Sequence, residues 1–377
     1  MTHPSQPEAG LTLDLVVNVL SQTLFSAFFC AFVPVAIAGH AKSWHQPAVY
    51  WSAGWAAFLV ILAALKYMNR LYAARGSYFF LPPRLNWEEQ IVLITGGGSG
   101  IGALLVETLA LRNVTVVILD LALPKEPIEN DNVYSYICDV SDYKQVQACA
   151  EKIRSEVGDP TILVNNAGTV RGKLLLDLTE EDIRTTFGAN TLAHFWTLKA
   201  FLPAMLEKGT GHIVNVASLM GMIGSDYCAS KAALISLHQS LRFELDNRYL
   251  TPQIRTTLLI PSFLSTPLFA RAHMPHSATS LGAFACPPVS PPTIVKALIA
   301  ALDADEGRVI RLPFYSQMAR VWGVGPGLMP KWLMDIVQWL SGADWAMRDL
   351  GSRPDAGELL EARRRERAAG LGDKDRQ

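Results

Sequence analysis

From Ile91 onward the chain alternates short apolar, largely β-branched runs with longer stretches of helical periodicity, and few architectures satisfy that alternation. The runs are Ile91–Thr95, Val114–Asp120, Val133–Cys138, Thr161–Asn165, His212–Ala217, Ile254–Ile260 and Val309–Leu312. Most are continuous rather than alternating in polarity, as strands covered on both faces require. The stretches between them are long enough for crossover helices. The expected class is α/β, a doubly wound parallel sheet over residues 86–312. No internal repeat or low-complexity tract interrupts it.

The first 85 residues read differently. From Leu15 to Ala41 there is no Asp, Glu, Lys or Arg, residues 24–38 are almost wholly apolar, and a second charge-free stretch runs from Ser43 to Leu65. Trp44, Tyr50, Trp51 and Trp55 lie toward one end of the second stretch, and Lys66, Tyr67, Arg70, Tyr72 and Arg75 follow the other. This pattern fits an anchor of two membrane segments, about 15–39 and 47–65, with an aromatic belt and a basic flank. The basic residues place position 66 onward on the cytosolic side. A cleaved signal peptide would need a basic n-region, and MTHPSQPEAG at the start carries none; a hairpin lying in the interface is the other alternative. Beyond Leu312, Trp332, Leu333, Ile336, Val337 and Leu340 follow helical spacing. Residues 313–350 are therefore expected to form membrane-proximal helices, packed on the domain or lying in the interface, and 351–377 a charged tail containing Arg363-Arg-Arg-Glu-Arg367.

A net charge of -1 gives no long-range field to attract nucleic acid, and the 50% hydrophobic fraction is concentrated in the stretches already assigned to lipid. Cys30, Cys138, Cys149, Cys228 and Cys286 are odd in number and lack C-x-x-C spacing, which fits free thiols and no metal.

Directly after the first run comes Thr95-Gly-Gly-Gly-Ser-Gly-Ile-Gly102, followed by an amphipathic pattern over Ala103–Leu111. Glycines let the backbone turn tightly and approach a pyrophosphate, whose charge the helix N-terminus then stabilises. A glycine-rich turn alone is a weak signal. Here a strand precedes it, a helix follows it, and Asp120 stands at the tip of the next strand. A carboxylate there accepts from the adenosine ribose hydroxyls and repels a 2'-phosphate, so NAD is expected in preference to NADP, on a Rossmann-type domain.

The TGxxxGxG spacing of the loop resembles the short-chain dehydrogenase/reductase family, and further motifs follow in the family's order. Cys138-Asp139-Val140 resembles its adenine-contacting turn, and Asn165-Asn166-Ala167-Gly168 its motif beside the nucleotide. Asn190 stands where the family places its catalytic Asn, Ser218 follows the fifth strand as the catalytic Ser does, and Tyr227-Cys-Ala-Ser-Lys231 matches the YxxxK signature. Pro261-Ser-Phe-Leu-Ser-Thr266 resembles the PGxxxT segment at the nicotinamide, with Ser262 in place of Gly. The resemblance covers roughly residues 88–312 and implies Asn190, Ser218, Tyr227 and Lys231 as catalytic residues. It implies a cofactor site of Thr95, Gly96, Ser99, Gly100, Ile101, Gly102, Asp120, Asp139, Val140, Asn166, Ala167, Gly168, Tyr227, Lys231, Pro261 and Thr266. The family often forms homodimers through helices near the active site. The anchor, the YCASK signature and the Trp-rich C-terminal region resemble the retinol and 17β-hydroxysteroid dehydrogenase branch. That branch implies an endoplasmic reticulum or lipid-droplet membrane, with the catalytic domain facing the cytosol.

Four residues apart on a helix, Tyr227 and Lys231 share one face. A cation beside a phenol favours the phenolate, so Lys231 is expected to lower the Tyr227 pKa toward working pH. Ser218 would orient the substrate oxygen and Lys231 bond the nicotinamide ribose; Asn190 holding a water in a proton relay is what the resemblance implies. One departure is the linker of only eight residues, Leu219–Asp226, between Ser218 and Tyr227, shorter than the family's. It would leave a more open pocket or misplace Ser218.

The segment Leu268–Ala285, expected to cover the substrate, carries His273 and His276 but no cluster of Arg or Lys, which disfavours phosphorylated substrates. With the anchor, it points to a lipophilic alcohol or ketone, retinoid-, steroid- or fatty-alcohol-like. Two alternatives stay open: an NADPH-dependent long-chain ketone reductase of the 3-ketosphinganine type, against which Asp120 argues, and a nucleotide-binding membrane scaffold that has lost turnover.

Overall fold

The apolar runs form seven strands of one sheet: β1 (Ile91–Thr95), β2 (Thr115–Asp120), β3 (Val133–Ile137), β4 (Ile162–Asn165), β5 (Gly211–Val216), β6 (Ile254–Pro261) and β7 (Val309–Leu312). Their order is β3-β2-β1-β4-β5-β6-β7 and every neighbouring pair is parallel. The computed structural model describes residues 11–40, 46–74, 80–122, 130–173, 175–219, 226–264, 284 and 286–317. Thr266, the Leu268–Ala285 segment apart from Phe284, linker residues 220–225, Lys and Arg positions beyond Gln317 and the expected C-terminal helices and tail lie outside the described residues.

The crossovers are α4 (Gly100–Ala110), α5 (Tyr143–Glu156), α6 (Glu180–Phe187), α7 (Ala193–Lys208), α8 (Asp226–Asn247) and α9 (Pro291–Asp303). Successive strand residues face opposite ways, and here both ways are apolar. Val92 and Ile94 pack with Leu105 and Leu109 of α4 and Ile294 and Leu298 of α9. Leu93 packs with Val146 and Ile153 of α5, Phe201 and Met205 of α7 and Leu241 of α8. Two covered faces account for the unbroken hydrophobicity of the runs. The winding reverses between β1 and β4, so a crevice opens at the carboxyl ends of those two strands.

The anchor consists of α1 (Leu13–Gln22), α2 (Ala27–His40) and α3 (Pro47–Ala74). With 28 residues, α3 is long and apolar enough to cross a membrane, at about 42 Å against a hydrocarbon core of about 30 Å. The first apolar stretch differs from the single segment expected over 15–39. It is a helix pair bent by 54°, which passes the same test only when taken together. Thr23 closes α1 by donating its backbone N–H to the Leu20 carbonyl, and the Ser26 hydroxyl accepts from the Phe29 N–H to open α2. The two pieces also differ in character, α1 being amphipathic and α2 apolar all round. Trp55 Nε1 donates to the Leu24 carbonyl at 3.3 Å and the Phe25 and Trp55 rings meet edge-on at 5.6 Å, pinning the bend against α3.

Near its end α3 docks on the domain. Arg70 lies 2.7 Å and Arg308 2.6 Å from the Glu306 carboxylate, which is 1% exposed just before β7. Burial alone would raise the Glu306 carboxyl, but the hydrogen bonds and charges of Arg70 and Arg308 together hold it below its ordinary value. This grip is at the amino end of β7, away from the crevice.

Candidate active site

The crevice is a cleft of about 390 Å³, a volume that suits a small-molecule ligand. Its wall includes Gly96, Ser99, Gly100, Ile101, Asp120, Asp139, Val140, Asn166, Ala167, Gly168, Ser218, Tyr227, Lys231 and Pro261. Three further expected residues, Thr95, Gly102 and Asn190, stand behind this wall and brace it.

The loop after β1 turns through left-handed backbone at Gly96 (φ 67) and Gly100 (φ 59), a conformation natural to glycine. Thr95 Oγ1 accepts from the Asn166 and Ala167 N–H groups, both at 3.0 Å. The Asn166 amide donates in return to the Thr95 and Gly96 carbonyls at 3.1 and 3.0 Å. This mutual clamp joins the turns after β1 and β4, and the sequence motifs did not reveal it. Gly102 sits against it: a Cβ there would run into the Gly96 carbonyl oxygen and come within 2.7 Å of Asn166 Nδ2. The cradle therefore fits a dinucleotide phosphate only with a bare backbone at this position. Gly102→Ala is expected to open the loop and weaken NADH binding by on the order of tenfold to a hundredfold, the range an overpacked contact produces. Fluorescence titration with NADH reads this, and unchanged affinity would remove Gly102 from the cradle.

Asp120 closes the far side. Its carboxylate accepts from the Gly98 N–H at 2.8 Å and the Leu121 N–H at 2.7 Å, so it ties the glycine loop while lining the cleft. Asp139 Oδ1 accepts from the backbone and hydroxyl of Ser141 at 2.9 and 2.7 Å, an Asx turn that fixes the segment holding Val140. Arg171 also reaches the wall, 3.7 Å from Asp182, which Lys173 bonds at 2.6 Å. No motif in the sequence marks a cation at this position.

At the opposite end, Ser218 follows β5 and Tyr227 and Lys231 lie in the first turns of α8, 4% and 3% exposed. The Ser218 and Tyr227 hydroxyls are hydrogen-bonded. Lys231 Nζ donates to the Val216 carbonyl at 2.9 Å and stands 5.9 Å from the centre of the Tyr227 ring. The electrostatics differ from the expectation that Lys231 brings the phenol down. Burial pushes the Tyr227 phenol well above its ordinary value, and what pulls against it is the Ser218 bond. Burial likewise pulls the Lys231 ammonium down to about 8. Both shifts come from an interior that favours neutral forms. His194, fully buried within reach of the Lys231 charge, is held neutral for the same reason, at about 3.

Asn190 sits in a single π turn, Gly188–Leu192, between α6 and α7, a local insertion common at functional sites. Its Oδ1 accepts from the Thr169 N–H at 2.7 Å, and its Nδ2 donates to the Thr169 carbonyl at 2.9 Å and Ser230 Oγ at 3.0 Å. Ser230 Oγ donates in turn to the Tyr227 carbonyl at 2.7 Å. Asn190 thus joins the segment after β4 to the helix that carries Tyr227. Gly168 leaves the gap between them open, since a Cβ there would meet Asn190 Oδ1 at 3.1 Å and Lys231 Nζ at 3.5 Å.

A family model described as short chain dehydrogenase matches residues 90–275. The chain is 36% identical over 267 residues to Retinol dehydrogenase 10-B of Danio rerio, covering 62% of this chain and 78% of that one. It is 41% identical over 214 residues to Short-chain dehydrogenase/reductase family 16C member 6 of Bos taurus, covering 52% and 67% respectively. Among solved structures, 4-hydroxyisoleucine dehydrogenase complexed with NADH superposes with a TM-score of 0.51 at 23% identity, over 59% of this chain and 96% of that one, a likeness of fold. The matched residues build β1 to β6 and most of the cleft. The chain accordingly belongs to the short-chain dehydrogenase/reductase family, as an oxidoreductase that uses a nicotinamide dinucleotide on CH–OH groups.

Proposed function

We propose that this is a membrane-bound enzyme transferring a hydride between NAD(H) and a lipophilic alcohol or ketone, with retinoid-, steroid- and fatty-alcohol-like molecules as the substrate class. The observation that carries the reading is the Ser218–Tyr227 hydrogen bond, with Lys231 one turn on, in the cleft whose other end is the glycine loop. The retinol dehydrogenases among its relatives support the substrate class. The apolar α3 and the bent α1–α2 pair support the membrane, and Lys66 and Arg70 at the domain end of α3 favour a cytosolic face. An endoplasmic reticulum or lipid-droplet location, and the division into anchor (1–85), dehydrogenase domain (86–312), membrane-proximal helices (313–350) and tail (351–377), belong to the same proposal.

A bound nicotinamide dinucleotide supplies the hydride acceptor or donor. Ser218 orients the substrate oxygen and stabilises charge developing on it. Tyr227, whose raised pKa keeps its proton at neutral pH, donates to that oxygen during reduction. Donation leaves a phenolate whose charge the nearby Lys231 ammonium offsets, and in oxidation that phenolate takes the hydroxyl proton and returns to the neutral phenol. Asn190 and Ser230 hold Tyr227 and Lys231 at this distance from the turn after β4.

Asp120 favours NAD, because its carboxylate faces the cleft next to the loop it ties. The test is turnover of full-length protein in vesicles with retinoids, steroids and long-chain ketones and both cofactors. Apolar alcohols with NAD should be turned over, and no turnover of any apolar alcohol or ketone with either cofactor would refute the reading. Asp120→Ala weakens the loop for both nucleotides, so the ratio is the readout. The NAD-over-NADP preference in kcat/KM should fall by about tenfold, the worth of one charge-assisted contact, and an unchanged ratio would exclude that role.

A further inference from the structure

The anchor touches the domain at a second place, beside the substrate end of the cleft. Asp14, in the first turn of α1, accepts the Phe314 N–H at 2.6 Å across 300 residues of sequence. No residue of α1 is fully buried, with Leu13, Val16, Val17 and Leu20 half-buried, so the polar contact adds to a shallow apolar one. The other carboxylate oxygen is buried and finds no hydrogen-bond partner among the described residues, an arrangement that is costly unless something requires it.

What Asp14 holds is the turn after β7. The next residue, Tyr315, bonds the Ser262 hydroxyl through its own hydroxyl. Its ring packs on the cluster of Ala217, Leu219 and Ile260, whose first two members flank Ser218. Ser262 lines the cleft beside Pro261 and donates its N–H to the Leu312 carbonyl at 2.8 Å. Tyr315 therefore braces the Ser262 wall of the cleft against the core cluster beside Ser218. Burial raises the Tyr315 phenol and the Cys286 thiol, and the charge of Asp14 adds to both, so all three groups are neighbours.

We infer that Asp14 and Tyr315 form a tie through which the N-terminal helix sets the shape of the substrate end of the cleft, making both positioning residues for an apolar substrate. The inference rests on the reading of Tyr227 and Ser218 as the groups that meet the substrate. The amphipathic helix that opens the anchor is then also part of the framework around the reacting carbon, and substrate binding depends on its being docked.

The test uses full-length protein in phosphatidylcholine vesicles. Wild type and Tyr227→Phe serve as controls for the underlying reading: an inactive wild type overturns that reading, whereas the tie is judged on an active one. Asp14→Ala is expected to raise KM for a long-chain apolar alcohol by on the order of tenfold, the worth of one hydrogen bond to a charged acceptor. kcat and NADH affinity should change little, and hydrogen exchange over residues 312–317 should quicken. Asp14→Asn, which keeps an acceptor oxygen, should recover most of the KM, and Tyr315→Phe should raise it in the same direction. An unchanged KM in Asp14→Ala overturns the tie, as does a rise that only parallels lost NADH affinity.

Discussion

Tyr227→Phe is expected to lower turnover by about three orders of magnitude, within the range that a positioned acid/base contributes, while NADH binding stays within a few-fold of wild type. The substitution keeps the ring and removes one hydroxyl. That hydroxyl is the proton carrier and the partner of Ser218, in a site where both side chains are buried. Folding should survive, because an unpaired Ser218 hydroxyl costs only about 1–3 kcal/mol. Steady-state kinetics with an apolar alcohol, alongside fluorescence titration of NADH, separates chemistry from binding. Retained turnover would mean that the proton travels by another route.

The second large effect has two parts of opposite sign. Lys231→Met should cut turnover by about a hundredfold or more, since the charge that offsets a phenolate is gone. The same substitution should stabilise the protein measured without nucleotide. Burial lowers Lys231 from 10.5 to about 8, so at neutral pH the folded state carries an ammonium that its surroundings disfavour. Below pH 8 that penalty, about 3 kcal/mol by linkage, is fully present. Between about 8 and 10.5 the folded state releases the proton before the unfolded chain would, and the penalty fades. The bond to the Val216 carbonyl returns part of it, leaving an expected gain of about 1–2 kcal/mol for the variant at pH 7. Melting temperatures of both proteins at pH 7 and pH 9 check the sign: the gap should narrow at the higher pH. A variant that melts lower at pH 7 would show that the lysine is stabilising where it sits.

The parts of this molecule that could be read from sequence are those written in local patterns. The strands β1 and β7 begin and end where their apolar runs do, β2, β3, β4 and β6 differ by one residue at one end and β5 by one at each end, because a strand covered on both faces leaves a continuous run. The glycine loop and the YxxxK spacing are likewise local. What could not be read depends on contacts between distant segments. The Thr95–Asn166 clamp pairs turns 71 residues apart, and nothing in either motif says that they touch. The π turn that presents Asn190 has no signature of its own in Gly188-Ala-Asn-Thr191. The break between α1 and α2 is not legible in the charge pattern, because Thr23, whose backbone N–H closes α1, and Ser26, whose hydroxyl opens α2, are both uncharged. The direction of the Tyr227 shift is not legible in the sequence for a related reason. Spacing reveals that Lys231 is near, but only three dimensions reveal that burial outweighs it.

Arg70 grips Glu306 from inside α3, four residues before that helix ends. The domain is therefore tied to the helix itself and not only to the chain that follows it. Under the proposed membrane-bound reading, a bilayer that holds α3 would restrain the tilt of the domain through this ion pair. On that reading, a molecule dissolved in the leaflet and diffusing in two dimensions would meet the opening within a narrowed range of heights and angles, and the bilayer would take part in substrate selection.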